Sequence, residues 1–183
     1  MHFNVEIEFK TQISKDQYET LIEAFSLENN VFKQTNHYFD TANLDLNHQS
    51  MVLRIRQKRD KYKLTLKSQN EHGAFEYHVL LTEEQALDMK KNGFYTKNFF
   101  EQIDFFVTYQ TSLDNFRAST PYEGGTLFLD YNEYCGVTDY EIEYEVDHYE
   151  TGAQIFNEFL KTHNIEFKPT KRKSERALTC IVR

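Results

Sequence analysis

V-E-I-E-F-K, residues 5–10, sets Val5, Ile7 and Phe9 in alternation with Glu6, Glu8 and Lys10. In a strand, successive side chains point to opposite faces, so one face of this segment is apolar and the other fully charged. The same division returns along the chain. In V-L-R-I-R-Q-K, Arg54, Arg56 and Lys58 share a face opposite Leu53 and Ile55. Lys63, Thr65 and Lys67 stand opposite Leu64 and Leu66, and Glu76 and His78 opposite Phe75 and Tyr77. Asp130 opposes Leu127 and Leu129, while Glu141, Glu143 and Glu145 oppose Ile142, Tyr144 and Val146. Arg117 closes a long strand that begins near Val107.

A wet sheet face laced with ion pairs would account for any one of these strands, each pair contributing a fraction of a kcal/mol. The set is sorted in a way that such a face is not. Acids sit on the first and last strands, and bases on the middle pair. Glu141 and Glu143, two residues apart, gain nothing from each other on an open surface, but they can share a cation. Hard divalent cations take carboxylate oxygens, and Arg and Lys clusters clamp polyphosphates. Acids for a metal and bases for phosphate describe a phosphoryl-transfer site. If the sheet curls into a barrel, both sets line a wet interior and the apolar faces pack against helices. Removing Glu6 or Glu143 is then expected to relieve like-charge repulsion, with stability held or raised.

The bulk properties agree. With 183 residues the chain is long enough for one domain, 1–183, with a sizeable core. Its 29 acidic against 21 basic residues, net −8, disfavour nonspecific nucleic-acid binding. There is no apolar run long enough for a transmembrane helix and no signal-peptide pattern at the start, so no membrane partner is expected. Cys135 and Cys180 lie far apart without a C-x-x-C pair, so neither a zinc site nor a disulfide scaffold is expected, and a reducing cytoplasm fits. No H-E-x-x-H, G-x-S-x-G or G-x-x-x-x-G-K-[ST] occurs, which leaves out zincin, serine-hydrolase and P-loop chemistry. His78 shares a face with Glu76 and either lines the site or stands by in it.

Period-two segments predict strands over 3–10, 36–40, 52–59, 62–68, 75–81, 106–118, 126–133 and 139–147. Turns are expected at 59–61, 70–73, 124–125 and 135–136. Capping boxes at Ser14/Gln17 and Thr82/Gln85 open helices, the second stopping at Asn92-Gly93. Further helices are predicted over 97–104, from a Thr151 cap, and from Ser174 with Ala177, Leu178, Ile181 and Val182 on one side. The class is α+β, dominated by antiparallel strands.

E-I-E-F-K resembles the E-x-E-x-K signature that opens the CYTH domain of the triphosphate tunnel metalloenzymes. H-Y-F-D-T at 37–41 is similar to that family's Y-x-D-T segment. L-R-I-R at 53–56, L-T-L-K at 64–67, Arg117, L-F-L-D at 127–130 and Y-E-I-E at 140–143 follow in the family's order. The resemblance covers essentially the whole chain. It implies an eight-stranded antiparallel β-barrel with helices packed outside, binding Mg2+ or Mn2+ and a triphosphate. Carried over, Glu6, Glu8, Glu141 and Glu143 are the metal ligands, with Glu76 and Asp130 for a second metal. Lys10, Arg54, Arg56, Lys63, Lys67 and Arg117 hold phosphates, Arg56 and Lys67 acting in catalysis. The tail K-R-K-S-E-R resembles the family's C-terminal basic segment, so Lys173 and Arg176 either reach the substrate or belong to a solvated tail. Three features depart from the pattern. L-D-N-F-R before Arg117 lacks the expected Thr and bases, N-H-Q-S-M before L-R-I-R lacks a glycine, and Glu145 extends the acidic strand.

The expected activity is metal-dependent hydrolysis of a triphosphate, with inorganic tripolyphosphate preferred. The alternatives are a class IV-type adenylate cyclase and a polyphosphate- or nucleotide-binding module without turnover. The partner is a small-molecule triphosphate, and the protein is expected as a monomer or homodimer.

Overall fold

The computed structural model describes residues 2–71 and 73–181. The elements in order are β1 (His2–Ile13), α1 (Lys15–Ala24), β2 (Phe32–Asp40), α2 (Asp45–His48), β3 (Met51–Lys58), β4 (Lys61–Gln69), β5 (Ala74–Leu81), α3 (Glu83–Asn92) and β6 (Phe94–Tyr95). A 3-10 turn (Thr96–Asn98) leads to β7 (Phe106–Tyr122), β8 (Gly125–Tyr134), β9 (Val137–Val146), α4 (Tyr149–Thr162) and α5 (Lys173–Leu178). The strands pair in the order β2-β3-β4-β5-β1-β9-β8-β7-β6, and β2 also pairs with β7. Eight strands thus close a ring of pairings, the eight-stranded antiparallel β-barrel of an α+β fold.

The chain divides into two compact units. One comprises Met1–Val5, Gln34–Leu113 and Arg172–Arg183, the other Glu6–Lys33 and Asp114–Lys171. In the first, Leu53 and Ile55 of β3 and Leu64 and Leu66 of β4 pack with Ala86 and Met89 of α3 and with Phe94 and Val107. In the second, Leu21 and Ile22 of α1 and Phe156, Phe159 and Leu160 of α4 cover Leu127, Leu129, Ile142 and Tyr144. The apolar half of V-E-I-E-F-K joins that second core through Phe9, whose ring lies 5.2 Å from Tyr149 and 5.9 Å from Phe156. Burying those apolar faces leaves the charged faces of the same strands pointing the other way.

Local chemistry explains the boundaries. Both capping boxes form, Ser14 with Gln17 and Thr82 with Gln85. The β8–β9 hairpin turns through Cys135 and Gly136, both at positive φ (49° and 72°), as a two-residue turn matched to strand twist requires. Asn70 N donates to Gly73 O at 2.8 Å across the β4–β5 connection. His72 in that connection, and Val182 of the expected tail helix, lie outside the described residues. α3 ends at Gly93 (φ +73°), where a Cβ would meet Val107 O at 2.5 Å, so no other residue fits.

Five expectations are corrected. No helix spans 97–104. Instead Thr96 folds the segment back, its hydroxyl donating to Ile103 O (3.0 Å) and accepting from Phe105 N (2.9 Å), while Phe100 is fully buried. α4 begins at Tyr149 with His148 as its cap, so Thr151 already lies inside the helix; the Tyr149 ring packs at a tilt against Phe9, 5.2 Å between ring centres. The short helix α2 and the two-residue β6 were not expected at all. In place of the missing glycine before β3, Ser50 itself takes positive φ (57°). Finally, neither Cys135 nor Cys180 is a free thiol, which removes the support that unpaired cysteines lent to a reducing compartment. Among the described residues no helix is long and apolar enough to cross a membrane.

Candidate active site

The acid set lies in the second unit. Register aligns Arg117 with Asp130 and Asp130 with Glu141 across β7, β8 and β9. On β1, Lys10 aligns with Glu143 and Glu8 with Glu145. Residues directly opposite in an antiparallel pair share a face, so Glu145 stands on the same face as the other acids. Asp130, Glu141 and Glu143 offer carboxylate oxygens that all lie within 4.8 Å of one another, and all three are buried. Glu6 and Glu8 are half-buried, and Lys10 Nζ lies 3.8 Å from Glu8.

Arg117 is placed among these acids. Its Nε and Nη2 donate to Asp130 at 2.8 and 2.7 Å, and Nη2 also to Glu143 at 2.6 Å. Its guanidinium stacks over Phe128 at 4.1 Å. Burial works against its charge, but the carboxylates of Asp130 and Glu143 outweigh that and hold its pKa well above the usual arginine value. Next along the same face, Asn115 donates to Asn132 (2.9 Å) and Asn132 to Asp139 (2.9 Å), which also accepts from Tyr134 OH (2.7 Å). This buried ladder occupies the strand where L-D-N-F-R departs from the expected bases, and its satisfied bonds stiffen the acid face. The donor set fits a hard divalent cation: carboxylate oxygens, converging and out of water. Arg117 supplies positive charge to two of the three carboxylates.

The basic set lies in the first unit. β2, β3, β4 and β5 place Asn36 opposite Arg56, Arg56 opposite Lys63, and Lys67 opposite Glu76. Glu76 is surrounded by basic side chains, with Arg54 at 4.0 Å, Lys67 at 3.8 Å and the imidazole of His78 at 3.2 Å. Burial pushes its carboxyl up. The hydrogen bond from His78 and the charges of Arg54 and Lys67 prevail and hold it well below the usual carboxylate range. His78 is fixed at both ring nitrogens, by Thr65 Oγ1 and by Asn4 Oδ1, each at 3.0 Å.

Asn36 was not singled out from the sequence. It is fully buried, and its Oδ1 accepts from Arg56 Nε at 2.9 Å. Its Nδ2 and the Nε of Arg54 on the adjacent strand are both buried without a hydrogen-bond partner among the described residues. The alternation that placed Arg54 and Arg56 on one face also places Asn36 and Tyr38 on one face of β2, but only the register pairs Asn36 with an arginine. Lys173 and Arg176 of α5 are buried, so the tail is not a solvated one.

An antiparallel barrel with a converging carboxylate cluster and a basic face defines a class of protein that handles a polyanion with the aid of a divalent cation. The model of the CYTH domain matches residues 4–178, and the chain belongs to the CYTH family. Members of this family use divalent metals, and the buried acid cluster is the matching feature here. A Bacillus subtilis (strain 168) protein, YjbK, to which a triphosphatase activity is ascribed, is 35% identical over 178 residues, 94% of each chain. A Bacillus halodurans crystal structure described as an adenylate cyclase is 33% identical, covers 96% of this chain and 98% of its own, and superposes with a TM-score of 0.87. The structure of HpAC1 from Hippeastrum, described as an adenylyl cyclase with a dominant triphosphatase activity, is 25% identical over 95% of each chain, with a TM-score of 0.76.

Proposed function

We propose that this protein hydrolyses a triphosphate with a divalent metal, Mg2+ or Mn2+, and that inorganic tripolyphosphate is its preferred substrate. The observation that carries the reading is the unmatched donor pair, Arg54 Nε and Asn36 Nδ2, on a face that also holds Arg56, Lys63 and Lys67. Buried donors without acceptors are costly. A ligand rich in acceptor oxygens and carrying negative charge removes that cost, and a polyphosphate is such a ligand. The triphosphatase activities ascribed to YjbK and HpAC1 support the same choice.

In this reading Arg54, Arg56, Lys63 and Lys67 hold phosphate oxygens, with Lys10, Arg117, Lys173 and Arg176 completing the substrate set. Arg56 and Lys67 stabilise the charge that develops on the transferred phosphoryl group. Glu6, Glu8, Asp130, Glu141 and Glu143 hold the metal, which when bound polarises phosphoryl oxygens. Glu76, expected to serve a second metal, instead touches three cationic or protonatable side chains. We assign it the role of counter-ion that aligns Arg54 and Lys67. Residues 1–183 act as one domain, as a monomer or homodimer, and the cytoplasm is the compartment in which a triphosphate substrate is at hand.

The test is incubation of the purified protein with tripolyphosphate, ATP or thiamine triphosphate, with Mg2+ or Mn2+. Phosphate release that is fastest from tripolyphosphate is expected. Cyclic nucleotide from ATP would instead establish the cyclase activity ascribed to the Bacillus halodurans relative, and binding without product would establish a sensor.

A further inference from the structure

α5 has only six residues, too short to persist without tertiary support. It nevertheless buries Lys173, Ser174, Arg176, Ala177 and Leu178. Ala177 and Leu178 account for the apolar part of its docking. The polar part converges on a cavity of about 10 Å³ lined by Tyr38 and Asp40 of β2, Asn47 of α2 and Ser174 of α5, with apolar side chains around them. Three of these polar groups, Tyr38 OH, Asn47 Oδ1 and Ser174 Oγ, are enclosed and have no hydrogen-bond partner among the described residues. Three unmet groups around one small space are a pattern that native interiors avoid.

We propose that this cavity holds one internal water molecule, which ties α5 to the corner between β2 and α2. The volume agrees, since a single water needs roughly 10–15 Å³ of such space. The chemistry agrees more closely. The hydroxyls of Tyr38 and Ser174 can each donate. Asn47 Oδ1 only accepts. Asp40 Oδ1 already accepts from Thr41 N (2.7 Å) and Leu46 N (2.9 Å), and Oδ2 from Asn47 N (3.0 Å). A carboxylate has about four lone-pair positions, so Asp40 Oδ2 keeps one acceptor place. The lining therefore presents two donors and two acceptors, and water alone among small ligands offers two acceptors and two donors in return. A metal ion would leave both hydroxyl protons without acceptors, and an anion would face Asp40 and the Asn47 carbonyl. The water thus converts a set of unmet groups into the polar half of the α5 dock, beside the apolar half made by Ala177 and Leu178.

A crystal structure of the full chain, refined with solvent, tests the site. An ordered water within about 3.2 Å of Tyr38 Oη, Asn47 Oδ1 and Ser174 Oγ is expected; an empty cavity, or direct bonds among those three atoms, overturns the proposal. Amide hydrogen exchange tests the anchoring. The amides of Arg176, Thr179 and Cys180 bond to Arg172 O, Arg176 O and Ala177 O. Ser174→Val, which fills the cavity and removes a donor, should speed their exchange about tenfold or more. Tyr38→Phe keeps the ring and removes one bond, and should speed it several-fold. Exchange unchanged in both variants overturns the anchoring role.

Discussion

Replacing Arg56 with lysine separates charge from geometry on the basic face. Arg56 Nε donates to the fully buried Asn36 Oδ1 at 2.9 Å. Lysine keeps the positive charge but has no Nε and no planar fork. The lost bond is charge-assisted, and such bonds contribute about 1.5–3 kcal/mol. Part of that appears as stability, because Asn36 Oδ1 is left enclosed without its donor. For a chain of this size, about 1–2 kcal/mol lowers Tm by roughly 2–8 °C. The remainder appears in catalysis. If the Arg56–Asn36 unit presents donors to a transferring phosphoryl group, kcat/KM for tripolyphosphate falls at least about tenfold, or ~1.4 kcal/mol of transition-state stabilisation. The assay is steady-state phosphate release at saturating metal and below Tm, on wild type, Arg56→Lys, Asn36→Ala and the double variant. Residues that act as one unit give a coupling energy of about 0.5–3 kcal/mol in this cycle. Wild-type kinetics in Arg56→Lys, or strictly additive single effects, would refute the assignment and leave Arg56 as a partner in a wet ion-pair network.

Asp130→Ala removes two of the three hydrogen bonds of the buried Arg117 guanidinium, leaving it Glu143 alone, and should cost about 3 kcal/mol in chemical denaturation; a loss under about 1 kcal/mol would show that water replaces Asp130 freely. Glu143→Ala also removes a partner of Arg117, held at 2.6 Å, so it should lower stability, against the rise expected from relieving like charges alone; an increase in Tm would restore the simpler repulsion argument. The Glu76 carboxyl is held low in the folded state, so its stabilising contribution is complete above the unfolded carboxylate value of about 4.3 and fades as pH falls below it toward the folded value. In EDTA, wild type should therefore lose stability more steeply than Glu76→Gln below about pH 4, and parallel curves would count against that pairing. Adding Mg2+ or Mn2+ to metal-free protein should raise stability by about 2.7 kcal/mol at a hundredfold excess over Kd, and Glu141→Gln should lose most of that gain in a thermal-shift titration.

Period-two alternation, a purely local signal, was enough to assign the strands and to separate charged from apolar faces. It was legible because a strand must bury one face, and each residue's own polarity states which. Capping boxes and positive-φ turns were legible for the same reason, since their partners lie within a few residues. Arg54, Arg56, Lys67, Glu141 and Glu143 could thus be proposed from spacing and resemblance together. What the alternation leaves open is the partner across the strand. Register put Asn36 behind Arg56, set Arg117 between Asp130 and Glu143, surrounded Glu76 with cations and turned Glu145 to the face of Glu8. The 97–104 segment followed the same rule in reverse. Its helical spacing was local, but the hydrogen bonds of Thr96 to Ile103 and Phe105 and the burial of Phe100 were decided by the surrounding core. The burial of Lys173 and Arg176 was likewise invisible in K-R-K-S-E-R. A six-residue helix has no fate of its own, and its place was settled by the apolar contacts and enclosed polar groups that receive it.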